Sequence, residues 1–207
     1  MRKNGLLLAV SMIALAACAT AGYRQVLPGV NSLGLLQITA GDGWNLASSY
    51  ATPGAWPDSQ TWTKDGLLLD RLVIIPAIND GEPIFKSRDK AAALPPFRAN
   101  MLPNELEELT ESTIVKLFGE GNAAVSTENL RPWAFAEHRG VLFDVRAAVT
   151  ESPDYRGMVG AVIFDKKLYM IMFLAATPHY YDKHKADAEA LIKSAAIRVP
   201  ATASSGS

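Results

Sequence analysis

The sequence predicts an α+β fold in which an antiparallel sheet packs with two long helices. Apolar residues recur at helical spacing in two stretches, residues 103–118 and residues 181–197. Between them lie three successive stretches of strand character, as expected for an antiparallel meander. The last of these, residues 168–176, is apolar throughout, so both of its faces are expected to be covered, one of them by a helix.

The strands before the first helix are predicted mainly from turn residues. The pairs Asp65-Gly66 and Asp80-Gly81 indicate hairpins, because a type I′ turn needs positive φ at both central residues. The strands expected around and before these turns are residues 34–39, a short strand from Trp44, residues 60–64, residues 67–75 and residues 82–86.

The first helix is predicted over Pro103–Phe118. Asn104 and Glu107 have the spacing of a capping box, in which each side chain satisfies a free backbone donor. Gly119 and Gly121 follow the last apolar position and are expected to end the helix.

The meander and the second helix occupy the carboxyl-terminal part of the chain. Pro178 precedes the second helix and Pro200 prevents its continuation beyond residue 197. The tail, residues 200–207, is small and polar and is expected to be disordered. The three meander strands are predicted at residues 141–150, 158–164 and 168–176, and residues 133–138 lead into the first of them.

The amino-terminal segment has the three parts of a secretory signal. Arg2 and Lys3 are positively charged, and residues 5–15 form an apolar stretch too short to span a hydrocarbon core of about 30 Å. Leu15, Ala16 and Ala17 then lead to Cys18, which is the only cysteine of the chain. This arrangement, over residues 1–17, resembles a bacterial lipoprotein signal peptide with its lipobox.

The resemblance implies how the chain is processed and where it resides. Cleavage would leave Cys18 at the amino terminus, with a diacylglycerol on its sulfur and an acyl chain on its amine; no other cofactor is expected. Ala19 implies, by analogy with enterobacterial lipoproteins, an outer-membrane location facing the periplasm. Residues 18–33 are then a linker, and residues 34–199 a single domain. The alternative is that Cys18 is a buried structural cysteine.

Composition narrows the range of partners. Loss of Arg2 and Lys3 with the signal reduces the 20 basic residues to 18 against 21 acidic ones, a net charge of −3. A nearly neutral surface gives no electrostatic basis for nucleic-acid binding. The expected partners are the membrane, through the lipid anchor, and an envelope protein or a small ligand.

The sequence contains no pattern typical of a catalytic or metal site. It lacks a His-Glu-x-x-His pair and a Gly-x-Ser-x-Gly elbow. His179 and His184 are five residues apart and would diverge on a helix. We therefore predict neither catalytic residues nor metal ligands.

Four aromatic or imidazole side chains are candidates for a binding surface. Trp56 and Trp62 lie in a proline-containing loop, where they would offer large contact area at small entropic cost. His179 and Tyr180 lie where the final strand meets the last helix and could border a cleft. The alternatives are that the tryptophans cap one end of the core and that the other two pack at the start of the helix.

The order of elements resembles the PsbP-like fold over roughly residues 34–199. Hairpin strands, a helix, a three-strand meander and a carboxyl-terminal helix ending in residues 194–197 follow one another as in that α/β/α sandwich. Its members include the extrinsic PsbP subunit of photosystem II, a eukaryotic nuclear-import factor and bacterial lipoproteins, and most are not enzymes. The resemblance implies a non-catalytic, membrane-anchored module that binds a protein or a ligand. A periplasmic hydrolase and a carrier of a small apolar ligand are the alternatives.

Overall fold

The computed structural model describes residues 22–52, 54–87 and 93–199. The predicted signal, lipobox and carboxyl-terminal tail lie outside these residues. The elements found in the described ranges are β1 Tyr23–Gln25, β2 Gly29–Leu33, β3 Leu36–Ala40, β4 Asn45–Ala47, β5 Gln60–Thr63, β6 Asp70–Asn79, α1 Pro103–Phe118, β7 Ala123–Phe135, β8 His138–Val149, β9 Tyr155–Phe164, β10 Lys167–Ala176, α2 His179–Lys193 and β11 Ala196–Ile197.

An antiparallel sheet of eight strands forms the centre of the fold. Its strand order is β1-β4-β5-β6-β10-β9-β8-β7, and a second sheet has the order β11-β3-β2. Helix α1 packs against one face of the large sheet, together with one apolar cluster. Helix α2 and the small sheet pack against the other face with a second cluster. The predicted α+β class with an antiparallel sheet is confirmed.

Strand β10 separates the two apolar clusters. Ile171 and Phe173 point into the cluster beneath α2, whereas Met170 and Met172 point into the cluster beneath α1. Alternate residues of a strand face opposite sides, so a strand with both faces covered has no polar position. The continuous apolar run therefore predicted its two-sided burial correctly.

Helix α1 has the predicted bounds but a different cap. The carboxylate of Glu105 accepts a hydrogen bond from the backbone N–H of Leu102 at 2.5 Å, two residues earlier than the predicted pair of Asn104 and Glu107. Pro103 stands at the first helical position, where its missing N–H costs nothing. Of the helices in the described part of the chain, none has the length and apolarity needed to cross a membrane.

The linker predicted over residues 18–33 is wrong for its described part. Strand β1 pairs with β4, and β2 pairs with β3. Val26, between the two strands, is buried and donates its N–H to the carbonyl of Trp44 at 2.8 Å. The chain bends at Pro28 and enters β2 at Gly29, so these residues belong to the domain.

Other boundaries also differ from prediction. Residues 82–86 form no strand; only a single bridge joins Pro83 to Pro96, because proline cannot donate to a ladder. Strand β7 begins ten residues before the predicted Trp133 and passes through Pro132, which an edge strand tolerates. Helix α2 ends at Lys193, and β11 returns to pair with β3.

Candidate functional site

An apolar cleft of about 340 Å³ opens on the face of the large sheet that α1 covers. Its floor is formed by three adjacent strands. Val73 of β6 lies opposite Met172 of β10 and Thr61 of β5, while Arg71 lies opposite Leu174. Because these positions alternate along their strands, all five side chains share one face. The volume is within the range of about 300 to about 1,000 Å³ that is usual for small-molecule sites.

The walls of the cleft are the last turns of α1 and three loops. Two wall residues, Leu68 and Leu117, leave 76% and 51% of their surface exposed. Large apolar side chains exposed beside an apolar cavity are typical of ligand-binding grooves. The wall residues from the helix and the loops are Ala51, Thr52, Ala55, Leu67, Leu68, Phe85, Ile114, Leu117 and Phe118.

Arg71 is the one charged residue that lines this cleft in the described part of the chain. Its Nε is shielded from solvent and has no hydrogen-bond acceptor among the described residues. Its guanidinium carbon lies 5.8 Å from the ring centroid of Tyr155, a cation–π contact that satisfies no N–H group. A buried donor without an acceptor costs about 1–3 kcal/mol. The cleft therefore holds a cation for which the described residues supply no counter-ion.

Tyr155 joins two walls of the cleft. Its hydroxyl donates a hydrogen bond to the carbonyl of Leu68 at 3.0 Å, and its ring lies 6.1 Å from that of Phe118 at the end of α1. Tyr155 is itself buried, at 5% exposure. These contacts position the 67–68 loop and the helix end around Arg71.

A cluster of polar side chains lies apart from the cleft, at the loop between β5 and β6. Its members are Thr63, Asp65, Asp70, Lys183 and His184. Asp70 is fully buried, and its carboxylate accepts hydrogen bonds from the N–H of Lys64 at 2.8 Å, the N–H of Asp65 at 2.7 Å and the hydroxyl of Thr63 at 3.1 Å. These bonds close the loop of residues 64–69. Asp70 thus has a structural role that accounts for its burial.

Asp65 and His184 of this cluster connect the same loop to α2. The carboxylate of Asp65 lies 2.6 Å from the ammonium of Lys183 and 2.6 Å from Nε2 of His184. Hydrogen bonds from Lys183 and then from His184 hold the pKa of Asp65 below its usual value. Asp65, Asp70 and His184 are near enough to share a metal ion. However, the Lys183 ammonium already neutralises Asp65, and the oxygens of Asp70 are occupied by donors.

The two candidate tryptophans have different environments. Trp62 is only 1% exposed, lies in the core beneath α2 and donates its Nε1–H to Gln60 at 2.8 Å. The prediction that it lies on a binding surface is therefore wrong, because strand β5 turns it inward. Trp56 is half-buried, donates to the carbonyl of Pro83 at 3.1 Å and lies 4.7 Å beneath the ammonium of Lys86.

The other two candidates begin α2. His179 is exposed and Tyr180 is half-buried, and their rings meet edge to face at 5.1 Å. Neither residue lines the cleft, and Trp56 does not line it either. Cys18 and the lipobox residues Leu15, Ala16 and Ala17 lie outside the described residues.

Sequence reasoning missed Arg71. The available signal was a single basic residue inside the strand Asp70–Asn79, whose other positions from Leu72 to Ile78 are apolar. A charge in such a strand needs either a partner or a reason to be there. The adjacent Asp70 is not that partner, because neighbouring residues of a strand point to opposite faces.

Comparisons with known proteins establish the fold. No protein-family model matches the chain, and no curated protein sequence matches it either. The solution structure of cyanobacterial PsbP (CyanoP) from Synechocystis is similar, with a TM-score of 0.57, 11% identity, and coverage of 90% of this chain and 99% of that one. The chain therefore has a PsbP-like fold, here a mostly-sheet α+β arrangement.

Two other solved structures are more distant. A protein from Bacteroides thetaiotaomicron gives a TM-score of 0.44 at 10% identity, over 88% of this chain and 51% of that chain. A mutant of the protein Mog1 gives 0.37 at 10% identity, over 83% and 86%. At such identities, likeness to a solved structure concerns the fold alone.

Proposed function

We propose that this protein is a lipid-anchored envelope lipoprotein whose domain binds a small, largely apolar ligand without catalysing a reaction. The observation that carries this proposal is the apolar cleft with an unpaired Arg71 on its floor. The cleft favours a ligand over a purely protein-contacting role, because its volume and its exposed leucine rim suit a small apolar molecule.

The lipobox resemblance supports the membrane anchor, and Ala19 supports the outer-membrane location facing the periplasm. Cleavage before Cys18 and acylation there would hold the domain on the bilayer, since two or more acyl chains give stable anchoring. Only three residues lie between Cys18 and Gly22, the first described residue, so four Cα–Cα steps join the two. Even fully extended, that segment reaches no more than about 14 Å.

The described structure brings Gly22 close to the cleft. The carbonyl of Gly22 accepts a hydrogen bond from the N–H of Ser48 at 2.8 Å, and Ser48 accepts one from the N–H of Ala51 at 3.0 Å. Ala51 is a wall residue of the cleft. An anchor at Cys18 would therefore keep the cleft near the membrane surface, where apolar ligands are concentrated.

The anchor is tested by substituting the cysteine. We expect the native chain to fractionate with membranes, to incorporate labelled palmitate and to yield a mature amino terminus bearing diacylglyceryl-cysteine in mass spectrometry. Cys18→Ser should abolish all three, whereas Thr20→Ser should change none. An unmodified mature amino terminus at any residue would contradict the proposal.

The ligand is tested by analysing what the protein carries. We expect organic extraction of the purified full chain to release an apolar small molecule in stoichiometric amount. Replacing the rim residue Leu117 with Asp should reduce that amount without altering membrane fractionation. If the native chain released no more of the apolar molecule than Leu117→Asp does, that result would contradict a ligand-binding cleft. It would leave the proposed anchor unaffected.

A further inference from the structure

We infer that the cleft takes a single-chain amphiphile with one carboxylate, a free fatty acid, whose chain occupies the apolar walls and whose carboxylate pairs with Arg71. This inference rests on the proposed function and specifies the ligand class of the same site. It is carried by the pairing of an apolar cavity with one uncompensated cation.

The lining of the cleft matches the apolar part of such a ligand. Its walls combine aliphatic side chains with the rings of Phe85 and Phe118, and its rim is the exposed pair Leu68 and Leu117. A chain of methylene groups laid between them would remove both rim leucines from water. Burial of apolar surface on both partners is the main attractive contribution in sites of this kind.

Arg71 matches the polar part. A guanidinium presents a planar set of donors that a carboxylate can accept in pairs, and its charge-assisted hydrogen bonds are stronger than neutral ones. The shielded Nε is an orphan donor in the described structure, so a carboxylate would satisfy it. An uncharged alcohol could accept a hydrogen bond from Nε but would leave the charge of Arg71 without a counter-ion.

The charge of the site selects among anions. No Lys, second Arg or His lines the cleft in the described residues. One cation neutralises one negative charge, which is the charge of a carboxylate. A phosphate monoester carries close to two negative charges at neutral pH and would leave part of its charge uncompensated.

The position of the cleft gives such a ligand a source. Gly22 and the wall residue Ala51 are both hydrogen-bonded to Ser48, so the proposed anchor at Cys18 would hold the cleft beside the bilayer. The acyl chains of that anchor are a competing occupant, but their carboxyl groups are esterified or amidated and carry no charge for Arg71. A free fatty acid would both fill the apolar cavity and neutralise the charge of Arg71.

The test uses the full chain purified in a non-ionic detergent and a hexadecanoic acid that carries a diazirine for photo-crosslinking. We expect the label to map to peptides that line the cleft, those around Ala51, Leu68 and Leu117. Unlabelled hexadecanoic acid should displace it at a concentration at least about tenfold lower than hexadecanol or hexadecyl phosphate, because only the acid matches the single charge of Arg71.

Variants then locate the headgroup. Arg71→Met should weaken labelling at least about tenfold and remove the preference for acid over alcohol, since it keeps the apolar stem without the charge. Arg71→Lys should keep the preference with weaker labelling. Arg139→Met is the matched control, because Arg139 is exposed on β8 and does not line the cleft, and it should label as the native chain does.

Four results would overturn the inference. Equal displacement by hexadecanol would mean an apolar ligand without the anionic headgroup, and the proposed function would stand. If hexadecyl phosphate displaced the label at a lower concentration than hexadecanoic acid, the headgroup would be a phosphate instead of a carboxylate. If the probe labelled the cleft in Cys18→Ser but not in the native chain, the acyl chains of the anchor would be the occupant of the cleft. Absence of label from the cleft peptides would contradict both the inference and the ligand-binding role. The competition on the native chain decides the headgroup even if Arg71→Met fails to fold.

Discussion

Nε2 of His184 lies 2.6 Å from the carboxylate of Asp65, joining residues that are 119 positions apart in sequence. The ring belongs to α2 and the carboxylate to the loop between β5 and β6. Because the pKa of Asp65 is lowered and its carboxylate is ionised at neutral pH, the imidazole donates the hydrogen bond. Together with Lys183, this contact fastens α2 to the loop between β5 and β6.

The pairing of Asp65 predicts a specific dependence of stability on pH. Hydrogen bonds from Lys183 and His184 lower its pKa in the folded state, so Asp65 stabilises the protein above the unfolded value of about 3.9. That contribution is lost as the pH falls from this value through the folded pKa. We expect Asp65→Asn to lose about 1 kcal/mol at neutral pH and to show a shallower loss of stability in acid.

Urea unfolding at several pH values between about 5 and about 2 measures this effect. Asp58→Asn is the control, because Asp58 is exposed. Parallel pH profiles for Asp65→Asn and the native chain would contradict the prediction.

The buried carboxylate of Asp70 should be among the most sensitive polar positions. Asp70→Ala removes the acceptor for the N–H groups of Lys64 and Asp65 and for the hydroxyl of Thr63. Leaving these donors without a partner should lower the free energy of unfolding by about 3 kcal/mol. Equilibrium denaturation of Asp70→Ala beside the exposed control Asp42→Ala checks this; a loss as small as that of the control would be inconsistent with a structural role.

Gly157 should not tolerate any side chain. A Cβ at this position of β9 would lie well inside van der Waals contact with the backbone carbonyl of Phe173 on β10. Gly157→Ala must therefore separate two central strands, and we expect a loss of at least about 3 kcal/mol or failure to fold. Gly41→Ala is the matched control, because a Cβ there meets nothing within 4 Å and its φ is not positive. Similar melting temperatures for the two variants would refute the argument.

Removing the charge of Arg71 should not destabilise the unliganded protein. Arg71→Met eliminates a shielded donor that lacks an acceptor and keeps most of the apolar stem. The loss of the cation–π contact with Tyr155, about 0.5–1 kcal/mol, offsets part of this gain. We expect a change of no more than about 1 kcal/mol in urea unfolding. A loss of several kcal/mol would instead identify Arg71 as a structural residue.

The two tryptophans should respond differently to truncation. Trp62→Ala leaves a cavity in the core beneath α2 and should cost about 3–5 kcal/mol. Trp56 is half-buried in a loop, so Trp56→Ala should cost distinctly less. Melting temperatures of the two variants, measured by circular dichroism, make the comparison, and equal losses would contradict it.

The elements that the sequence predicted well are those with one dominant physical cause. The bounds of α1 followed from proline at its start and glycines after its end, and the two-sided burial of β10 followed from its continuous apolar run. Strand β7 was placed too late because it is an exposed edge strand with many polar positions, and its partner β8 decides its length. Strands β1 and β2 were missed for the same reason, since both are short edge strands with several exposed positions.

The candidate cleft was beyond the reach of sequence reasoning. Its lining comes from three strands, the end of α1 and three loops, and no local pattern relates these segments. Arg71 can be recognised as a cleft residue only when the face of β6 on which it lies is known. That face depends on the register of β6 with β10. Trp62 was misassigned because its apparent loop is in part the strand β5.

The pairing of Ala196 and Ile197 with Gln37 and Leu36 has a consequence for biosynthesis. A ribosome synthesises Leu36 161 residues before its partner Ile197, in the strand that completes its sheet. The small sheet therefore cannot close until the whole stretch between these two strands has been synthesised. Such delayed closure is compatible with transport of an unfolded polypeptide across a membrane.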